Sequence, residues 1–347
     1  MNTAIQDAFQ KRPRLLLIVG YGLAFVCLVW VLLDFHIMQE LHQIANVSWK
    51  WVVLGIACDI LSYGIQALRW KFLLAPFGKV RLSRAIRAVY SGLFANLVFP
   101  LRPGEVLRSY LLSNSEGITI GRVLGSVGVE RFVDLVIATA ALAMVSLFVE
   151  LPRRFQKVAD TLAIVTLVLL TIVAILILYL EIKLGSSAPP KGGRRRLPGK
   201  FMAVLTDLHA IGTSPSFYAA VLMSLLMPFC QVLGMWAVMR SYHLSLSLLA
   251  AVVVLLIVNL GVSLPNAPAN VGSYQLFCVL GLSVFDVEKS SAAGFSFFAW
   301  VALTLPLAIL GFTALLRSGM SLRSMREKVK GLPRKAARAS ASGQTLY

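Results

Sequence analysis

The chain is short of charge, and of acidic charge above all. Only 14% of its 347 residues are charged, against about 25% in an ordinary soluble domain, and 15 acidic residues stand beside 33 basic ones. So few charged groups cannot coat a water-facing surface of this size. With 58% apolar residues and a mean hydropathy of +0.79, the apolar surface is expected to be covered by lipid. Cysteine is scarce as well. Cys27, Cys58, Cys230 and Cys278 lie inside apolar runs and form no CxxC pair, so no disulfide or metal framework is expected. The four histidines, His36, His42, His209 and His243, lie near segment ends, and no His/Glu cluster has metal spacing. A Walker A loop and a Gly-x-Ser-x-Gly elbow are both missing, so neither an ATP-driven pump nor a serine hydrolase is indicated, and no cofactor is expected. The net charge of +18 raises the question of nucleic acid, but the bases lie between hydrophobic runs without interleaved aromatics. They read as topology signals and contacts with anionic headgroups at the cytoplasmic face.

What is present is long apolar helix. Leu15–Leu33 is an uncharged run of 19 residues, too long for a signal-peptide core and followed by no A-x-A site. Six spans are expected, near 15–35, 50–70, 123–149, 158–180, 215–240 and 290–316. Two further apolar stretches, 85–112 and 246–285, are broken by Pro100 and Pro103 and by Pro265 and Pro268. Proline removes a backbone donor and stops a helix, and irregular backbone survives at membrane depth only inside protein or along a wet cavity. Each broken stretch is therefore expected to be a re-entrant hairpin. With the N-terminus in the cytoplasm, this topology places 24 Lys and Arg inside and 6 outside, leaving Arg102, Arg108 and Arg131 within the membrane. Both termini are then cytoplasmic.

Each half reads span, span, hairpin, span, in opposite senses. The fold expected is all-α: a polytopic integral membrane protein with six transmembrane helices and two re-entrant helical hairpins in an inverted repeat. The halves are 1–157 and 158–317, with a cytoplasmic linker at 182–200, a surface helix over 198–212, and a basic, disordered tail at 318–347. A trace of the repeat survives in Pro100-Leu-Arg-Pro-Gly-Glu-Val106 and Pro265-Asn-Ala-Pro-Ala-Asn-Val271. Interrupted segments at matching places in two halves point to a transporter's site.

Helices starting after Pro103 and Pro268 aim their N-termini, and so their free N–H groups and partial positive charge, at the membrane interior. Arg102, Gly104 and Arg108 at one tip, with Asn266, Asn270 and Gly272 at the other, are candidates to bind an anionic headgroup. Glu105 either pairs with Arg108 or serves coupling. Glu130, Arg131 and Asp134, charged residues two to three turns into a span, either lock that helix to the hairpin or form a gate. Asp59, Ser62, Tyr63, Gln66 and Arg69 share one face of the second span, which must therefore face protein or a wet cavity.

The stretch Gly92-Leu-Phe-Ala-Asn96 through Pro100-Leu-Arg-Pro-Gly-Glu-Val-Leu-Arg108, then Gly125, Glu130, Arg131 and Asp134, resembles the lysylphosphatidylglycerol synthase/flippase transmembrane domain family. Pro265 through Gln275 resembles that family's second motif, with Ala269 where glycine is usual and Gln275 where an acid is common. The Arg69-Trp70 end of the second span also fits. The resemblance implies a flippase-like fold, standing alone without a synthase domain, in the plasma membrane. In the best-known members this region moves an aminoacylated phospholipid between leaflets. Three readings remain open: a flippase for an anionic or phosphate-headed lipid, a non-transporting partner of a lipid-modifying enzyme, and a small intramembrane transferase with Glu105 as base. The leading expectation is the flippase, not an enzyme, with an undetermined oligomeric state.

Overall fold

The computed structural model describes residues 20–33, 37–99, 102–149, 153–185, 207, 210–263 and 267–318. Every regular element among them is helical. α1 spans Gly20–Leu32. α2 is Ile37–Ala45, and α3 is Trp49–Leu74, ending in a 3-10 turn at Ala75–Phe77. α4 (Leu82–Val98), α5 (Gly104–Glu116), α6 (Ile120–Ser146) and α7 (Arg153–Gly185) follow. α8 is Pro215–Ser241, α9 is Leu248–Ser263, a 3-10 turn covers Pro268–Asn270, α10 is Ser273–Ser283 and α11 is Lys289–Arg317.

Three stretches, Trp49–Phe77, Pro215–Ser241 and Lys289–Arg317, are both long and apolar enough to cross a bilayer. At 1.5 Å per residue the shortest reaches about 40 Å, more than a hydrocarbon core of about 30 Å. α6 has 27 residues but carries Arg122, Glu130, Arg131 and Asp134, whose placement at depth must be met by partners inside the protein. α1 and α9 are shorter apolar helices. α7 runs to Gly185 and so takes in the first residues expected in the 182–200 linker. The remainder of that linker, most of 198–212 and the tail beyond Ser318 lie outside the described residues.

Both proline-broken stretches fold as antiparallel helix pairs. In the first, α4 and α5 touch where Gly92 faces Gly104 and Arg108, while Arg84 pairs with Glu116 at the open end. In the second, Gly261 of α9 meets Phe277 of α10, and Gly281 meets Val254. The turns are left-handed where the breaks require it: Arg102 has φ 52°, Ala269 55°, Asn270 56° and Gly272 84°. Only glycine fits the last position, because a Cβ there would lie 2.3 Å from the Ala24 carbonyl oxygen.

The same element order recurs along the chain. α8, α9, α10 and α11 begin 166, 166, 169 and 169 residues after α3, α4, α5 and α6. α3 and α8 pack antiparallel along their whole length, from Ser48 N–H donating to the Ser241 carbonyl (3.1 Å) to Arg69 against Ser224. Gly55 and Gly234 let the two backbones approach at the crossing, as small residues do between membrane helices. Each hairpin also rests on the last helix of the other unit. α4 lies along α11, where Gly311 meets Tyr90 and Phe94, and α9 touches α6.

Candidate functional site

The polar face of α3 turns inward as its spacing requires: Ser62, Gln66 and Arg69 are buried. Arg69 is the hub. Its guanidinium reaches Glu130 (2.6 Å) and Asp134 (2.5 Å) on α6 and donates to Ser224 Oγ on α8 (3.2 Å). Glu130, with no solvent exposure, also accepts from Gln66 Nε2 (2.8 Å) and Arg108 (3.0 Å). Arg108 lies over the Trp70 ring at 4.8 Å, a cation–π contact, and Trp70 donates to Ser126 Oγ (3.0 Å). Arg131 completes the set, reaching Asp134 (3.5 Å) and Glu105 (3.2 Å).

These contacts make an alternating chain, Arg108–Glu130–Arg69–Asp134–Arg131–Glu105, that starts and ends on α5. Three cations meet three carboxylates, which is what allows them to sit at membrane depth. One end is sealed, with Arg108 4% exposed. The other is open, with Arg131 49% and Glu105 44% exposed. Glu105 therefore pairs with Arg131 and not with Arg108, because Arg108 is drawn under α6 by Glu130 and Trp70. The Nε atoms of Arg69 and Arg108 are buried without a hydrogen-bond partner.

The two hairpin tips meet beside this chain. Arg102, exposed, donates to the Val262 carbonyl (3.0 Å) near the end of α9, a favourable place for a cation because helix C-termini are partially negative. α4 touches the Pro268–Asn270 turn, and Trp300 of α11 donates to the Ala269 carbonyl there (3.0 Å). Gly104, expected to offer a free N–H at the start of α5, gives it to Asn96 Oδ1 (2.7 Å). Gly272 likewise gives its N–H to Gln275 Oε1 (2.7 Å). Asn270 lies in the second tip, partly buried, and Asn266 lies outside the described residues. Asp59, partly buried on α3, makes no ion pair among the described residues and stands within electrostatic reach of Tyr63, Tyr90 and Tyr274.

The structure thus brings Arg102, Gly104, Glu105, Arg108, Glu130, Arg131 and Asp134 into one region. Sequence reasoning gave Arg69, Trp70 and Asn96 no role beyond the α3 stripe and the family resemblance, and did not single out Ser224. Arg69 had a signal, its register with Asp59 and Gln66, whereas Ser224 sits 155 residues away on α8 with none. A second polar cluster was also missed, at the end of the bundle where α2 lies. Glu40 is buried there, accepting from Tyr242 and from Ser290 (3.3 Å), and Tyr242 also lines an open cavity of about 360 Å³ together with His42, Asn46 and His243. Among the described residues no group of acids, histidines and cysteines has metal-binding geometry. The chemistry on offer is exchange of charged partners at the open end.

Comparison with known proteins points to a membrane protein. The chain is 24% identical over 326 residues to a UPF0104 membrane protein of Methanocaldococcus jannaschii, an alignment that covers 88% of this chain and 94% of that protein. The sequence pattern of the lysylphosphatidylglycerol synthase TM region matches residues 17–339, taking in every helix described above. The chain is a multi-pass membrane protein and belongs to the lysylphosphatidylglycerol synthase TM region family.

Proposed function

We propose that this protein is a lipid transporter of flippase type that moves an anionic or phosphate-headed lipid, such as a phospholipid, polyprenyl phosphate or glycolipid, between leaflets. The observation that carries the reading is the meeting of two interrupted hairpins, joined by Arg102 and the Val262 carbonyl, beside an ion-pair chain with an open end. The recurrence of α3–α6 as α8–α11 and the antiparallel α3–α8 pair support an inverted repeat. In that topology the chain crosses the membrane six times and dips into it twice. Both termini and the basic loops then lie in the cytoplasm, against the anionic headgroups of the plasma membrane.

Arg102 offers the exposed cation to the headgroup, with Gly104, Asn270 and Gly272 shaping the tips and Arg108 holding positive potential behind them. Glu105, Glu130, Arg131, Asp134 and Asp59 serve gating or coupling. An incoming phosphate competes with Glu105 for Arg131, so binding loosens the contact between hairpin and α6. The acyl chains stay in the bilayer while one half rocks against the other. No covalent step is involved, and the reading is of a transporter and not an enzyme.

The test is leaflet exchange of labelled lipids in reconstituted liposomes. Arg102→Ala is expected to slow exchange about tenfold or more, the worth of one charge-assisted hydrogen bond of ~1.5–3 kcal/mol. Absence of exchange for every headgroup class, from wild-type protein shown to be folded, would sink the transport reading and favour a supporting partner of a lipid-modifying enzyme.

A further inference from the structure

Asp59 stands apart from every other acid in the candidate site. Glu105, Glu130 and Asp134 each face an arginine, whereas Asp59 forms no ion pair among the described residues. It lies ten residues into α3, about 15 Å along the helix, which is half of a hydrocarbon core of about 30 Å. It is on the inward stripe with Ser62 and Gln66, both buried, yet it keeps partial exposure. Asp59 is therefore not sealed off at this depth, as Ser62 and Gln66 are.

Its neighbours are polar but neutral. Cys58 and Tyr63 share α3, and Cys230 of α8 stands next to Cys58. Tyr90 of α4 faces Asp59 but donates its hydroxyl to the Ile60 carbonyl (2.9 Å). Tyr274 of α10 faces it with Cys278 behind, and the Tyr274 hydroxyl is buried with no hydrogen-bond partner. Arg102 at the hairpin tip, Arg131 on α6 and Asp59 itself all stand within electrostatic reach of Tyr63. α11 has titratable groups only at its ends, Lys289 and Arg317. Burying a carboxylate without a cation is costly, and taking up a proton is the cheapest way to remove the charge.

We propose that Asp59 is the proton carrier of a lipid–proton symporter, an assignment that rests on the flippase reading above. The charged carboxylate repels an anionic headgroup from the neighbourhood of Arg102 and Arg131. The protonated carboxyl admits it. On the acidic side a proton forms an O–H bond with Asp59 and the lipid binds. After the halves rock, the lipid leaves, the O–H bond breaks and the proton passes to the alkaline side. One proton travels with one monoanionic phosphodiester, so each cycle is electroneutral. Glu105, already paired with Arg131, is not the carrier.

Proteoliposomes holding a trace of labelled phosphatidylglycerol, with a pH gradient of about one unit, test this. With the membrane potential held at zero by valinomycin and equal K⁺, an ionised phosphodiester gains nothing from the gradient unless its movement is coupled to the proton. In a one-to-one symport the leaflet ratio settles at the inverse proton ratio, so wild type is expected to enrich the label about tenfold on the alkaline side. Asp59→Asn, checked for folding by size exclusion and melting, is expected to bring the ratio to about one while exchange continues, whereas Asp59→Glu keeps the enrichment. A lumenal pH dye should report lipid-dependent proton entry for wild type and not for Asp59→Asn. Retained enrichment in Asp59→Asn overturns the assignment. So does exchange by wild type that ignores the pH gradient or follows a Na⁺ gradient instead. If Asp59→Asn does not fold, loss of enrichment in Asp59→Glu overturns the assignment as well. Wild type that exchanges no lipid under any condition overturns the transport reading itself, and this inference with it.

Discussion

Glu130→Ala is expected to be the most destabilising single substitution in the described part of the chain. Glu130 is wholly buried and is shared by Arg69 and Arg108, themselves 1% and 4% exposed. Removing it leaves Arg108 with no carboxylate and Arg69 with Asp134 alone. Breaking a buried pair from one side costs about 3–5 kcal/mol, because the remaining charge cannot return to water. Here one cation is orphaned and a second loses one of its two carboxylates, so the cost should reach the top of that range. The melting temperature of the detergent-purified protein should fall sharply, with most material lost to aggregation. Glu130→Gln keeps the shape and one acceptor but not the charge, and should be only slightly milder. The diagnostic is a rescue: Glu130→Gln combined with Arg108→Met removes both members of one pair and should recover much of the loss, since neighbouring sites in one network are strongly non-additive. A double variant no more stable than Glu130→Gln would show that the Arg108 charge is not what the carboxylate neutralises.

The sequence made the inward stripe of α3 legible because polar residues at i, i+3, i+7 and i+10 admit one orientation in lipid, and Ser62, Gln66 and Arg69 are buried as that demands. It also located the two helix breaks, between α4 and α5 and between α9 and α10, since Pro100–Pro103 and Pro265–Pro268 cannot continue a helix. It did not reveal pairing. Glu105 and Arg108 lie three residues apart and look like partners, but a third charge, on α6, competes for each and wins. That competition depends on how α5 lies against α6, which no local pattern encodes. Nor did the sequence reveal where the first N–H group of each hairpin tip goes. Asn96 and Gln275 reach the N–H groups of Gly104 and Gly272 first, contacts set by the tightness of each turn. Glu40 escaped because the segment between α1 and α3 looks like a loop, while the chain forms α2 and buries its acid against Tyr242 and Gly294.

The tightness of the first turn leads to the second large effect, at Gly104. A Cβ on this residue would lie 2.0 Å from the Gly92 carbonyl oxygen and 2.6 Å from Asn96 Oδ1. Both obstacles belong to α4; the first is backbone and cannot swing aside, and the second can move only by giving up the hydrogen bond it accepts from Gly104 N–H. Gly104→Ala must push α5 off α4. Overpacking of this kind costs typically 1–3 kcal/mol, and contact with immovable backbone places it at the upper end. The functional loss should exceed the loss of stability. Glu105 and Arg108 follow within the next turn, so their carboxylate and guanidinium move with the backbone and both links to α6 lengthen. Gly128→Ala on α6 is the control, because nothing lies within 4 Å of a Cβ there and alanine is the better helix former by about 0.5–1 kcal/mol. Melting and lipid exchange measured in parallel should show Gly128→Ala at or slightly above wild-type stability. Gly104→Ala should lose most exchange even at temperatures where it stays folded. Equal behaviour of the two variants would mean that the α4–α5 contact does not set the position of the charged chain.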